Sequence, residues 1–293
     1  MTRTLTALSV RRRHPMAVVV LIALALLLVG GAYAVFSPKP ADAATTSASA
    51  SDIEAGRKLF LANCATCHGL DAQGGGGSSA ANVNGQSISG NGNGDETNNA
   101  GPSLIGVGAA AVDFQVGTGR MPLAQSGPQA PSVDKLRFSQ EQIDQMAAYI
   151  ASLSPGPAEP TSQELDVASV SDTDLARGAA IFRTNCAMCH NFAGKGGALT
   201  AGKYAPDLTG VSGKHIYEAM VTGPQSMPVF NNDNISPEDK KALIAWLTQE
   251  DKRPDPGGLS LGSVGPVSEG LLAWIGGIGL LIGCSIWLGM KSS

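Results

Sequence analysis

The stretch "NCATCHGL", Asn63–Leu70, holds two cysteines three apart and a histidine directly after the second. A near copy, "NCAMCHNF", runs from Asn185 to Phe192. The pattern C-x-x-C-H reads as the attachment site of a c-type haem. Two thiols at this spacing add across the two vinyl groups of the porphyrin as thioethers. The next residue then offers its imidazole to the iron. Cys64, Cys67 and His68 form one candidate site, and Cys186, Cys189 and His190 the other. A structural zinc would want four Cys, His, Asp or Glu ligands per site. Each half supplies three in sequence, and of the four histidines only His14 and His215 remain. A thioredoxin-like redox pair would want a βαβ context, which the chain does not show. A disulfide inside C-x-x-C closes too short a loop to staple a domain.

Outward from these motifs, the whole middle of the chain is duplicated. "SDIEAGRKLFLANCATCHGL" (51–70) matches "SDTDLARGAAIFRTNCAMCHNF" (171–192), with Gly56 and Phe60 corresponding to Gly178 and Phe182. "GPSLIGVG" (101–108) matches "APDLTGVS" (205–212), and "GRMPL" (119–123) matches "QSMPV" (225–229). Each half closes with a helical pattern, over 139–153 and 236–250. Apolar Ile143, Met146, Ala147 and Ile150 recur at helical spacing, as do Leu243, Ile244 and Leu247. Start signals are legible too. Ser51 with Glu54 and Ser139 with Gln142 read as capping boxes, and Ser236 as a cap with Pro237 in the first turn.

A haem iron has a sixth position. Met121 and Met227 stand 57 and 41 residues after the first cysteine of their halves, each followed by proline. Thioether sulfur suits haem iron, and a Met/His pair raises its potential. Met220 competes with Met227 but lacks the Met-Pro context, and His215 has no counterpart in the first half, so it reads as a surface or loop residue. The difference between 57 and 41 comes from the low-complexity insert 74–101, read as a surface loop.

Two apolar runs flank the repeat. Met16–Phe36 is uncharged and follows Arg11–Arg13; it is expected to be a retained membrane anchor, with a cleaved signal peptide ending near Ala41–Ala44 as the alternative. Gly270–Met290 is a second spanning candidate, with Ser268 read as its cap, Glu269 as its first-turn acid and Lys291 after it. Gly276, Gly279 and Gly283 would admit another helix, Trp274 and Trp287 would anchor the ends, and Cys284 reads as packing. The positive-inside rule puts both outer ends in the cytoplasm and 37–269 outside it. Residues 1–16 hold four arginines and no acid, and 270–293 hold Lys291 alone. Taken from the chain's net charge of −4, this leaves −9 on residues 37–269. So acidic a body excludes nucleic acid and adsorption onto anionic lipid as its business. No substrate-pocket signature is present, so no small-molecule substrate is expected.

The expected organisation is a cytoplasmic N-terminus and anchor (1–36), a linker (37–50), a first domain (51–153), a Pro-rich linker (154–170), a second domain (171–251), a linker (252–269) and a membrane helix (270–290). Each domain resembles a small class I cytochrome c, mainly α, with Gly56, Phe60 and Tyr149, or Gly178, Phe182 and Trp246, joining its first and last helices. Two such domains with an anchor at each end resemble the dihaem cytochrome c subunit (cytochrome cc) of the actinobacterial cytochrome bc complex. That resemblance implies two covalently bound haem c groups, on Cys64/Cys67 and Cys186/Cys189, with His68/Met121 and His190/Met227 as axial ligands. It implies an electron-transfer subunit of quinol–cytochrome c reductase with no catalysis of its own. Its partners would be the cytochrome b subunit, the Rieske iron–sulfur subunit and an aa3-type oxidase. A subunit of another terminal oxidase and a dihaem peroxidase-like enzyme are the alternatives.

Overall fold

The computed structural model describes residues 15–36, 48–74, 101–123, 127–134, 136–253, 261–263 and 265–291. Arg11–Arg13, the Ala41–Ala44 cleavage pattern and nearly all of the Gly/Asn-rich insert lie outside the described residues.

The chain divides into two compact units, residues 1–42 and 43–293. In the first, α1 (Pro15–Phe36) is helical, and its described apolar side chains run over Met16–Gly31. The second unit opens with α2 (Ala50–Asn63), the short α3 (Ala65–His68), α4 (Gly108–Gly117) and α5 (Gln140–Leu153). It repeats them as α6 (Asp172–Asn185), α7 (Ala187–His190), α8 (Gly213–Thr222) and α9 (Pro237–Asp251). A two-stranded antiparallel pair, β1 (Gly197–Ala198) with β2 (Tyr204–Ala205), lies between α7 and α8. The long α10 (Pro266–Lys291) follows.

In each half the first helix packs on the last, α2 on α5 and α6 on α9. Two glycines make this possible. A Cβ on Gly56 would stand 1.9 Å from the carbonyl oxygen of Gln145, and one on Gly178 would stand 2.2 Å from that of Ala242. Backbone thus meets backbone at the crossing. One turn on, aromatic pairs fill the same seam: Phe60 with Tyr149, ring centroids 5.4 Å apart, and Phe182 with Trp246 at 4.8 Å. Such tilted pairs add about 0.5–1.5 kcal/mol to the gain from burial. The periodic residues Ile143, Met146, Ala147 and Ile150 are all buried, as are Leu243, Ile244 and Leu247.

The caps follow local chemistry, with two departures from expectation. Ser139 and Gln142 form the full capping box on α5, and Ser236 caps α9 with Pro237 in its first turn. On α2, however, the cap is Ser49, whose hydroxyl accepts from the Asp52 amide at 3.1 Å, and Ser51 already lies inside the helix. Glu54 pairs instead with Arg57, one turn on. Likewise α10 starts at Pro266. Ser268 sits in its first turn, donating to the Gly265 carbonyl, and is not its cap.

Among the described residues, one helix is long and apolar enough to cross a membrane, over Val267–Met290 with mean hydropathy 2.1. Nothing lies within 4 Å of where a Cβ on Gly276, Gly279 or Gly283 would be, so that face of α10 is open.

Candidate functional site

Both C-x-x-C-H motifs are held in the same way. At the end of α2 the Asn63 side chain donates back to the Leu59 carbonyl, and at the end of α6 Asn185 donates to that of Ile181. The first cysteine closes each helix, its amide bonded to Phe60 or Phe182 at 2.8 Å in both halves. A single further turn, α3 or α7, then carries the second cysteine and the histidine. The His68 and His190 amides each donate to the carbonyl of the first cysteine at 2.9 Å. With so few backbone choices left, thiols and imidazole project from one tight turn.

Each imidazole is fixed from behind. His68 Nδ1 lies 2.7 Å from the Pro102 carbonyl, and His190 Nδ1 lies 3.0 Å from that of Pro206. A ring tied through Nδ1 keeps Nε2 for a metal, which is how histidine ligands are oriented elsewhere. Burial lowers the pKa of His190, leaving it a neutral ring. Pro102 and Pro206 are equivalent residues of the repeats "GPSLIGVG" and "APDLTGVS". Their role was missed in the sequence, although the match itself was the signal.

The methionines reach the same walls as the first cysteines. Met121 and Cys64 both pack against the cluster of Val116, Ile143 and Met146. Met227 and Cys186 both pack against the cluster that contains Phe182, Ile216, Leu243 and Leu247. Met220, the competitor, is a buried member of that cluster. A cleft of about 450 Å³ opens beside Cys189, lined also by Ala198, Leu199, Lys203 and Ser226.

These residues fit a covalently bound haem. All four motif cysteines are free thiols. Burial pushes Cys64 and Cys186 up to about 11, with the neighbouring cysteine adding to it. A reactive dithiol needs the opposite shift. His215 corrects the sequence reading. It is neither on a loop nor at the open surface; it sits on α8 with its ring edge against Phe114 of α4 and Nε2 3.7 Å from Asp113.

Two cytochrome c-type domains in tandem are therefore the class that fold and sites define. Residues 53–154 match the family model described as cytochrome c, and 173–247 match that of cbb3-type cytochrome c oxidase subunit III. The chain is 42% identical over 275 residues to the cytochrome bc1 complex cytochrome c subunit of Mycobacterium tuberculosis strain H37Rv, covering 93% of this chain and 90% of that one. It is 41% identical over 274 residues to the subunit of the same name in Mycobacterium leprae (93% and 87%). With that of Corynebacterium diphtheriae it shares 38% over 251 residues (82% and 81%). The chain belongs to the family of cytochrome bc1 complex cytochrome c subunits. It is an electron-transfer protein with two haem c groups, one for each domain.

Proposed function

We propose that this chain is the membrane-anchored dihaem cytochrome c of a respiratory bc complex. It would relay electrons from the Rieske iron–sulfur subunit to an aa3-type oxidase within quinol–cytochrome c reductase, beside the cytochrome b subunit. The observation that carries the reading is the equivalence of the two sites. The same turn, the same proline carbonyl behind the histidine and a methionine on the wall of the first cysteine occur in both halves.

In this reading domain 1 is 51–153 and domain 2 is 171–251. Cys64 and Cys67 would hold one haem and Cys186 and Cys189 the other. His68 with Met121, and His190 with Met227, would be the iron's axial ligands. Haem c supplies a one-electron Fe(III)/Fe(II) couple, and a Met/His pair raises its potential. The rest is the work of the chain. Pro102 and Pro206 hold the imidazoles in one orientation, so that oxidation and reduction demand little rearrangement. The apolar clusters behind Met121 and Met227 exclude water. With a histidine and a methionine both on the iron, the sites would leave no open position for a substrate, and no independent catalysis is expected. Helices α1 and α10 both anchor the protein in the cell membrane, with Arg11–Arg13 and Lys291 on the cytoplasmic side and the haem domains outside.

Three measurements test this. Cys67→Ala and Cys189→Ala should each remove half of the covalent haem, read by haem staining of the denatured chain. Met121→Ala and Met227→Ala should each convert one of two low-spin sites to high spin, with loss of its far-red sulfur–iron band. Purification of the native complex through a tag on this chain should bring down the cytochrome b, Rieske and aa3 subunits. A resting spectrum with a five-coordinate haem that ignores both methionine substitutions would point to an enzyme instead. Recovery with a different terminal oxidase would reassign the partners.

A further inference from the structure

Away from both C-x-x-C-H turns, α4 of the first domain meets α8 of the second over buried charge. Asp113 and Glu218 are each 0% exposed. Asp113 Oδ1 accepts from Gln140 at 2.7 Å and lies 3.0 Å from the Lys214 ammonium. Its Oδ2 and both oxygens of Glu218 have no hydrogen-bond partner. Lys214 stands 2.8 Å from Glu159 and 3.8 Å from Glu218, so three carboxyl groups share a single ammonium. Buried oxygens left this way are costly, and their usual remedy is a cation or a proton. An imidazole completes the group. His215 Nε2 is 3.7 Å from the orphan Oδ2 of Asp113. It gets that close because α4 carries a glycine there: a Cβ on Gly117 would stand 3.1 Å from Nε2.

We propose that Asp113, His215 and Glu218 form a divalent-cation site that ties the first haem domain to the second, with zinc(II) as its occupant. One ligand atom from each of the three lies within 4.8 Å of the other two. One imidazole nitrogen with two carboxylate oxygens is a three-ligand set that zinc accepts, with water in the fourth position. Calcium and magnesium prefer all-oxygen sites, which the imidazole disfavours. Two carboxylates balance the ion's charge, so the buried site is neutral when filled. Lys214, Glu159 and His215, each between 20 and 30% exposed, mark the side of the group nearest to solvent. Lys214 is the competing cation: it would turn toward Glu159 as the metal enters. Burial lowers the His215 pKa, so its ring is neutral and ready to coordinate. Burial, then Asp113, raises Glu218 to about 10, so the metal must displace a proton there.

The test is equilibrium dialysis of the full haem-loaded chain in detergent against zinc chloride, with zinc and iron counted by mass spectrometry. The expected ratio is one zinc to two irons. His215→Gln and Glu218→Gln should each weaken zinc binding by more than about tenfold. Lys214→Met, which removes the competitor, should strengthen it. The haem absorption spectrum, recorded in parallel, should stay unchanged in all three, and a variant that loses it is set aside in favour of the other two. No retained zinc in wild type or Lys214→Met overturns the proposal in favour of a proton held between Asp113 and Glu218. Equal affinity in wild type, His215→Gln and Glu218→Gln overturns it in favour of binding elsewhere.

Discussion

Asn63 and Asn185 show how much one side chain decides. Each donates to the carbonyl four residues back and so helps end its helix where the haem-binding turn begins. Gly56 and Gly178 act by having no side chain. Because a Cβ would meet backbone oxygen at 1.9 Å and 2.2 Å, neither neighbour can yield by a rotamer change. Gly56→Ala and Gly178→Ala should each destabilise their domain by about 1–3 kcal/mol or more, as overpacking does. Gly276→Ala, with open space at its Cβ, should leave the melting temperature of the same domains unchanged. Thermal melts of the full chain in detergent, followed by each haem's absorption, would check all three. These glycines were legible because the duplication placed both four residues before a phenylalanine. His215 was not legible. Its neighbours on α4 come from about a hundred residues earlier, and no local pattern on α8 reveals a glycine-lined wall in the other half.

Among the elements, the closing helices were readable and the small sheet was not. Helix α5 shows a full capping box and four periodic core residues, so sequence and packing agree over its whole length. Strands of two residues, Gly197–Ala198 and Tyr204–Ala205, are too short for any alternation to show. The start of α2 was misread for a different reason. Ser49 and Ser51 each have an acid three residues on, so the chain offers two registers for one cap. The later one fails because Glu54 is drawn to Arg57 on its own helix. Ser49→Ala should therefore cost about 0.5–2 kcal/mol, as loss of a cap does, and Ser51→Ala distinctly less. Urea unfolding of the full chain, followed at the first haem, would rank the two. The opposite order would restore the cap to Ser51.

At the scale of the molecule, the two domains are more than beads on a string. The Pro-rich linker lies along α4, with the Ala110 amide donating to Pro157 and Gly108 leaving room for that proline's backbone. Gln129 of the first domain bonds both the amide and the carbonyl of Tyr204 in the second, each at 2.9 Å. Beside these contacts sits the carboxyl pair of Asp113 and Glu218, and it makes the interface sensitive to pH. Glu218 has an ordinary carboxyl pKa when unfolded and about 10 when folded, through burial first and Asp113 second. Between those values the folded chain holds a proton that the unfolded chain has released, so stability falls as pH rises. The contribution is complete below the unfolded value and is lost through the folded one. Two other buried groups oppose it in separate windows. His215, lowered by burial, titrates below its usual 6.5, and Lys240, lowered by burial to about 8, adds stability above that value. Between about pH 7 and 8 the Glu218 slope stands nearly alone. There, in zinc-free buffer, Glu218→Gln should flatten the decline of melting temperature with pH and leave the variant the more stable protein at the upper end. A variant whose melting temperature runs parallel to that of the wild type would show that Glu218 keeps no proton in the folded chain.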